Sequence, residues 1–108
     1  CAWKPRRPVA ARRAADGSVS GRVVWVDRFG NLVTSIARAD LPRARRLAGD
    51  VGGRRVEGLE RTYAGAPPGR PFWIWGSGDR LEVSLREAPA ARVLEVRSGC
   101  AVRVWSGR

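Results

Sequence analysis

The strongest constraint on the fold is a succession of short apolar runs that are separated by glycine and proline. Three of these runs are RVVWVD (22–27), PFWIWG (71–76) and RLEVSLR (80–86). They are rich in β-branched and aromatic residues, or alternate apolar with polar residues, as β-strands do. With 13 Gly and 7 Pro available for turns, this pattern predicts an all-β fold, a small antiparallel β-barrel with one or two short helices.

The helical elements are predicted from capping signals. In ARADLPRARRLAG, Asp40 can cap a helix and Gly49 can end it, which predicts a short helix over about 41–48. APAARVLEV (88–96) predicts one further helical turn or two. We expect one or two short strands around Val56 and Tyr63 and a loop at AGAPPG (64–69).

The chain of 108 residues is long enough for one domain with one core. Residues 1–20 contain prolines and clustered charge without a sustained period, so we expect an N-terminal arm or linker there and the barrel over 21–108.

The chain begins with Cys1 and has no Met, and we expect it to be a piece of a longer protein. No apolar run of transmembrane length is present, and we expect a cytoplasmic location with no membrane partner.

The charge balance leaves two interpretations open. Lys and Arg number 21 against 10 Asp and Glu, which gives a net charge of +11. Such a surplus is typical of nucleic-acid binding, and a solvated, arginine-rich surface produces it as well. The chain has no His, which excludes histidine-based acid–base catalysis and most zinc sites, and we expect no metal site.

The segment VDRFGNLVTSI (26–36) places polar residues between two predicted strands. A tight connection at Gly30 would bring Asp27, Phe29 and Asn31 to one rim of the barrel. A carboxylate, an aromatic ring and an amide suit a ligand with an amine and a flat heterocycle. The simpler interpretation is a hairpin in which Asp27 and Asn31 satisfy the backbone groups of the turn.

Two further features are candidates for ligand contact. In GSGDR (76–80), Ser77 and Gly78 could present backbone N–H groups to a carboxylate, or could simply form a turn. Tyr63 precedes a flexible loop and could stack on a base, or could be an ordinary packed aromatic. PFWIWG could present Trp73 and Trp75 to single-stranded nucleic acid, but its continuous apolar character favours the core.

The blocks GRVVWVDRFGNLVTSI, TYAG, GSGDRLEVSL and CAVRV resemble, in this order, the C-terminal domain of the S-adenosyl-L-methionine hydroxide adenosyltransferases. That family includes fluorinating and chlorinating enzymes. The resemblance implies a trimeric parent in which the ligand lies between one subunit's N-terminal α/β domain and the C-terminal barrel of a neighbouring subunit. It implies that S-adenosylmethionine is a substrate rather than a cofactor, and that water or hydroxide converts it to adenosine and L-methionine.

The resemblance also implies roles for individual residues. Asp27 would accept from the methionine ammonium, Phe29 would pack on the adenosine, and Asn31 would bind the adenine edge. The methionine carboxylate would be held by Ser77 and Gly78.

At the adenine, Tyr63 would stack, and the backbone at Arg86 and Glu87 would meet the amino group. The family's catalytic residues belong to the N-terminal domain, so we expect none in this chain and expect it to be inactive alone. The alternative, from a different class, is a free-standing basic barrel that binds single-stranded nucleic acid.

Overall fold

The computed structural model describes residues 11–41 and 43–106. Nine strands and one α-helix occur in this part of the chain. The strands are β1 Arg12–Arg13, β2 Val19–Val26, β3 Leu32–Ala37, β4 Leu47–Val51, β5 Arg54–Glu57, β6 Leu59–Glu60, β7 Pro71–Trp75, β8 Arg80–Leu85 and β9 Ala101–Ser106. The helix is α1 Ala90–Leu94, and short 3₁₀ turns occupy Arg38–Asp40 and Ser77–Asp79.

The strands form one sheet in the order β5-β4-β9-β2-β3-β8-β7-β6, with β1 added to β2. Every pairing is antiparallel except that of β6 with β7. The sheet curls into a nearly closed barrel, so the prediction of an all-β barrel with one short helix is confirmed.

The barrel is closed between β5 and β7, which lie near opposite ends of the sheet order. Gly58, with φ of 98°, carries the chain directly from β5 at one end to β6 at the other. The backbone N–H of Trp73 donates to Gly58 O at 2.8 Å. Its indole Nε1–H donates to Val56 O at 2.9 Å. Trp73 therefore joins the two ends of the sheet from inside the barrel.

The core consists of the inward residues of the long strands. Leu32 and Ile36 on β3, and Leu81 and Val83 on β8, are each 0% exposed. Trp73 is also 0% exposed, which confirms the interpretation of PFWIWG as a buried strand. On the outer side of the same strands, Val33 of β3, Glu82 of β8 and Ile74 of β7 are neighbours in the register and are half-buried.

The prediction of a helix over about 41–48 is wrong. The carboxylate of Asp40 accepts from the N–H of Ala37 at 2.8 Å, so it caps the 3₁₀ turn Arg38–Asp40 to which it belongs rather than a following helix. Gly49 is the middle of β4 and pairs with Val104 of β9. A Cβ at Gly49 would lie 2.2 Å from Arg103 O. The pairing of β4 with both β9 and β5 thus prevails over the local capping signals.

The remaining local predictions are mixed. The strand at Val56 and the loop at AGAPPG are confirmed, and the helical turn in APAARVLEV is α1. The prediction of a strand around Tyr63 is wrong, because β6 ends at Glu60 and Tyr63 belongs to the following loop.

The second half of the predicted arm contacts the barrel. Arg12 and Arg13 pair with Ser20 and Val19. Asp16 accepts from the Ser18 hydroxyl at 2.7 Å and from the Arg103 guanidinium at 2.8 Å. The hydroxyl and the backbone N–H of Ser18, which both donate to Asp16, lower the pKa of the Asp16 carboxyl together with the Arg103 guanidinium. Residues 1–10 lie outside the described residues, and the domain boundary at residue 20 stays a prediction.

Among the residues that the structure describes, none of the helices is long and apolar enough to cross a bilayer.

Barrel closure gives a first prediction. Replacing Trp73 by Phe leaves the buried Val56 carbonyl without its side-chain donor, and we expect the free energy of unfolding to fall by about 1–3 kcal/mol. Urea unfolding followed by circular dichroism measures this loss. Trp25→Phe is the matched control, because Trp25 is 63% exposed and its replacement should change stability by less than about 0.5 kcal/mol. Equal stability of the two variants would contradict the role of Trp73 in closure.

Candidate functional site

The tip between β2 and β3 is held together by the carboxylate of Asp27. Its Oδ1 accepts from the backbone N–H groups of Phe29 and Asn31, both at 2.9 Å. Its Oδ2 accepts from Asn31 Nδ2 at 3.0 Å. The backbone completes the turn, with Asp27 N–H donating to Asn31 O at 3.0 Å. The interpretation of Asp27 and Asn31 as turn-forming residues therefore describes the geometry.

Gly30 fits this tip for two reasons. Its φ is 83°, a conformation that favours glycine. A Cβ on Gly30 would lie 2.4 Å from Pro89 Cβ. The Gly30 carbonyl also accepts from Ala91 N–H at 2.8 Å, which ties the tip to the first residues of α1. The tip is consequently fixed against the segment that follows β8.

Two side chains of the tip remain available to a ligand. The ring of Phe29 is 71% exposed, with the Arg28 guanidinium 5.8 Å from its centre. Asn31 uses Nδ2 toward Asp27, and within the described residues its Oδ1 receives no hydrogen bond. An exposed ring beside an open amide oxygen can contact a flat heterocycle with an amino group.

Tyr63 lies against the end of β8. Its hydroxyl donates to Leu85 O at 2.9 Å and accepts from the N–H of Glu87. Its ring meets Phe72 edge-on, with centroids 6.0 Å apart. This packing covers Phe72, the neighbour of Trp73 on β7. Tyr63 thus orders the turn after β8 and keeps 42% of its surface exposed.

Arg86 and Glu87 form that turn. Arg86 Nη1 donates to Ala66 O at 3.3 Å, and Glu87 has φ of 63°. Within the described residues, no backbone or side-chain donor reaches the carbonyls of Arg86 and Glu87. Open carbonyls of this kind can accept from an amino group.

Ser77 and Gly78 lie in the turn between β7 and β8. Gly76 N–H donates to Arg80 O at 2.9 Å, and Asp79 N–H donates to Gly76 O at 3.1 Å. The N–H groups of Ser77 and Gly78 have no acceptor among the described residues, and both residues are exposed. Gly78 has φ of 70°. Successive free N–H groups in such a turn form a concavity for an anion.

The register places the β2–β3 tip and the turn at Arg86 and Glu87 at one end of β8, and Ser77 and Gly78 at the other end. Leu32 pairs with Val83, and Ala37 pairs with Arg80. The tip at 27–31 therefore lies by the end of β8 that leads to Arg86. Ser77 and Gly78 lie at its start, roughly 17–20 Å away at the usual rise of a strand. The structure brings six of the predicted residues together and leaves Ser77 and Gly78 at the far end.

Glu82 lies between the two ends and was not singled out from the sequence. Its strand neighbours on the outer face are Val33 of β3 and Ile74 of β7. A Cβ on Gly76 would lie 1.6 Å from Glu82 Oε2, so the carboxylate lies directly against this glycine. In the sequence Glu82 was only one of the polar residues that alternate with apolar ones in RLEVSLR, and nothing distinguished it from Ser84.

The environment of Glu82 disfavours its charge. Burial raises the pKa of Glu82 above its ordinary value of 4.5, and repulsion from Asp27 raises it further. Within the described residues, the carboxylate receives no hydrogen bond and lies in no ion pair. A half-buried carboxylate without a cationic partner is a natural acceptor for a cationic group.

Arginines surround a separate cleft of about 620 Å³ near the start of β8. It is lined by Arg38, Ala44, Arg45, Leu59, Glu60, Arg61 and Trp75. The Arg38 guanidinium lies 5.0 Å from the centre of the Trp75 ring and binds Asp79 at 3.2 Å. This cleft carries a net positive charge beside an aromatic ring.

The tip gives a second prediction. Asp27→Ala removes the acceptor for three hydrogen bonds of the turn, and we expect it to lower the free energy of unfolding by about 1–3 kcal/mol. Urea unfolding at neutral pH measures the change. The control is Glu57→Ala, since Glu57 has only an exposed ion pair with Arg55 at 3.0 Å, worth about 0–1 kcal/mol. An Asp27→Ala protein as stable as the control would show that the tip does not need its carboxylate.

Glu82 gives a third prediction, on pH. A carboxyl pKa raised by folding means that ionisation destabilises the folded state above that pKa, and that this effect vanishes below the ordinary value of 4.5. We therefore expect Glu82→Gln to stabilise the protein at neutral pH, with an advantage that shrinks in acid. Thermal unfolding at several pH values tests this, with Glu57→Gln as the control. A pH-independent effect of Glu82→Gln would contradict the assignment.

Sequence comparisons identify the family of the chain. The family model described as the SAM hydroxide adenosyltransferase C-terminal domain matches residues 21–103. A relative from Thermus thermophilus, named (R)-S-adenosyl-L-methionine hydrolase, is 37% identical over 84 residues. The match covers 78% of this chain and 31% of the relative, so the chain spans about a third of that protein's length.

Solved structures show the same architecture. A conserved hypothetical protein from Thermus thermophilus superposes with a TM-score of 0.67 at 36% identity, over 79% of this chain and 34% of that one. An uncharacterized conserved protein from Thermotoga maritima gives a TM-score of 0.72 over 94% of this chain and 39% of that one. At 24% identity this second likeness shows the fold alone. Because the family model covers most of the chain, the chain belongs to the family of SAM hydroxide adenosyltransferase C-terminal domains.

Proposed function

We propose that this domain supplies one wall of an S-adenosylmethionine site in an enzyme that forms adenosine and L-methionine. The observation that carries the proposal is a set of polar groups, at the two ends of β8 and between them, that have no hydrogen-bond partner among the described residues. It begins with the free N–H groups of Ser77 and Gly78, continues through Glu82, and ends at Asn31 and the open carbonyls of Arg86 and Glu87. An extended ligand with an amino-acid end and an adenine end matches this order.

The adenine end would lie at the tip of the β2–β3 hairpin. The exposed ring of Phe29 would pack on the adenosine, and Asn31 Oδ1 would accept from the adenine amino group. The carbonyls of Arg86 and Glu87 offer further acceptors for the same group. Tyr63 holds this turn through its hydroxyl and presents the exposed part of its ring. Asp27 fixes the geometry of the tip and keeps about one of its four lone-pair directions open.

The reaction would be completed by groups outside this chain. A hydroxide oxygen attacks the ribose C5′, the C5′–S bond breaks, and its electron pair stays on sulfur as methionine leaves. The chain has no His and contributes binding and orientation in this proposal. The opposite wall would come from the N-terminal α/β domain of a neighbouring subunit, in a homotrimer.

This assignment gives a fourth prediction. The chain alone should release no adenosine from S-adenosylmethionine, because one wall cannot hold the ligand for in-line attack. Such positioning contributes about 7–11 kcal/mol to lowering a barrier. A family N-terminal domain mixed with the chain should restore turnover, measured as adenosine by chromatography.

The controls for this experiment are each domain by itself and the mixture without substrate. Turnover by the chain alone that is abolished by Asp27→Ala would contradict the proposal. So would a chain that binds neither adenosine nor S-adenosylmethionine.

The arginine-lined cleft favours a second candidate function, the binding of single-stranded nucleic acid. Its positive charge and Trp75 suit a phosphate and a stacked base. The two candidates differ in their response to salt. Affinity for an oligonucleotide should fall steeply as salt increases, whereas affinity for zwitterionic methionine joined to adenosine should change little.

A further inference from the structure

We propose that a depression on the outer side of β2 binds one dianionic phosphate group. This depression, the β2 groove, has a volume of about 320 Å³. It is lined by Arg12, Ser20, Gly21, Arg22, Ala101, Val102 and Arg103. Ser20 lies near the start of β2 and the hairpin tip follows the end of that strand, so the two are roughly 20 Å apart at the usual rise of a strand. The β2 groove is therefore separate from the proposed S-adenosylmethionine wall.

The register gathers three arginines around Ser20. On one side Ser20 pairs with Arg12 of β1, and on the other side it pairs with Arg103 of β9. Arg22 lies two residues further along β2, so its side chain is on the same side of the sheet as that of Ser20. Residues in these relations have Cβ atoms about 5–8 Å apart. A single compact anion above Ser20 is consequently within reach of all three guanidinium groups.

The floor of the β2 groove is made of short side chains. Ala101 pairs with Arg22 in the register, and Ala101 and Ser20 are both exposed. Within the part of the chain that the structure describes, the Ser20 hydroxyl makes no hydrogen bond. Long cationic side chains above a short floor with an open hydroxyl leave space for an anion that accepts several hydrogen bonds.

The charges of the three arginines are only partly compensated. Arg103 donates through Nη2 to Asp16 at 2.8 Å and through Nε to the Ser18 hydroxyl at 3.3 Å, which fixes its orientation. Arg22 donates through Nη1 to Gly99 O at 2.9 Å and lies in no ion pair with any described residue.

Arg12 has neither a side-chain hydrogen bond nor an ion pair among the residues that the structure describes. Arg12 and Arg22 therefore present two positive charges without a carboxylate partner. A phosphate dianion matches this charge, and its oxygens match the planar fork of N–H donors that a guanidinium presents.

Carboxylates beside the β2 groove favour a single phosphate group over a long polyanion. Asp50 of β4 is the register neighbour of both Arg103 and Arg55. Further along the same side, Glu57 pairs with Arg55 at 3.0 Å. A polyanion that extended from β9 toward β5 would meet these carboxylates and be repelled. The uncompensated positive charge is thus confined to the β2 groove.

The test is an NMR titration of the ¹⁵N-labelled chain with inorganic phosphate at slightly alkaline pH, with sodium chloride keeping the ionic strength constant. We expect saturable shifts of the amide signals of Ser20, Arg22 and Arg103. Arg12→Gln and Arg22→Gln should each weaken phosphate binding by about threefold to tenfold, as expected for exposed charged contacts. Ser20→Asp should abolish binding, because its carboxylate would occupy the position of the anion.

The matched control is Arg55→Gln. Arg55 is exposed on the same side of the sheet and does not line the β2 groove, so this variant should bind phosphate as the wild-type chain does. Amide signals away from the groove report whether each variant keeps the fold. A loss of phosphate binding in Arg55→Gln as large as that in Arg12→Gln would overturn the site, because it would show diffuse attraction to a basic surface.

Three further probes identify the source of the phosphate group. Glycerol phosphate, a monoester dianion, should compete with inorganic phosphate at similar concentrations if the site accepts esters, and phosphate binding without this competition would assign the site to free phosphate. Dimethyl phosphate, a diester monoanion, should bind more weakly. A single-stranded oligonucleotide should leave the signals of the groove unchanged at concentrations where phosphate saturates it.

The remaining outcomes decide against the proposal. Equal shifts with sodium chloride alone would show that the groove does not select phosphate. An oligonucleotide that displaces phosphate, and loses affinity in Arg12→Gln, would replace the single-phosphate site by a nucleic-acid surface. Phosphate binding that survives in Arg12→Gln, Arg22→Gln and Ser20→Asp would place it elsewhere. None of these results depends on S-adenosylmethionine, so the proposed function stands or falls separately.

Discussion

The structure depends on the closure of the barrel at Trp73. A curled sheet of this size has two edges, and unpaired edge groups in a small domain are exposed to water and to other chains. Here the chain itself passes from one end of the sheet to the other through Gly58, and the backbone and indole N–H groups of Trp73 bind Gly58 and Val56. Closure holds β7 and β8 in the wall of the barrel, and the register of β8 with β3 and β7 places Glu82 beside Val33 and Ile74.

The hairpin motif illustrates how one residue can satisfy two interpretations. Asp27, Phe29 and Asn31 have the residue types of a ligand site, and the chain belongs to a family whose name refers to S-adenosylmethionine. Yet the carboxylate of Asp27 is directed to the N–H groups of its own turn. A rigid tip is itself useful, because it holds the exposed Phe29 ring and the Asn31 amide in fixed positions. In the proposed site the Asp27 carboxylate therefore holds Phe29 and Asn31 in position.

Most strands were predictable because their signal is local. The alternation in RLEVSLR and the continuous apolar run of PFWIWG each describe a strand without reference to its partners. The segment 41–48 was mispredicted because its outcome is not local. Asp40 and Gly49 have helical capping chemistry, but β9 and β5 leave a place that only an extended segment with a glycine can fill. Tyr63 was misassigned for a similar reason, since its packing on Phe72 holds it in a loop.

The sequence by itself determined the hairpin tip and the chemistry of its side chains, because the spacing of Asp27, Gly30 and Asn31 dictates a turn through short-range hydrogen bonds. It also determined the strand content, because side-chain alternation follows from the geometry of one strand. Only the tertiary structure decided that Ser77 and Gly78 lie at the other end of β8 from that tip. It also decided that Glu82 lies against Gly76 with no donor among the described residues. These relations depend on the register between strands that are distant in sequence, and register is set by how the whole barrel packs and closes.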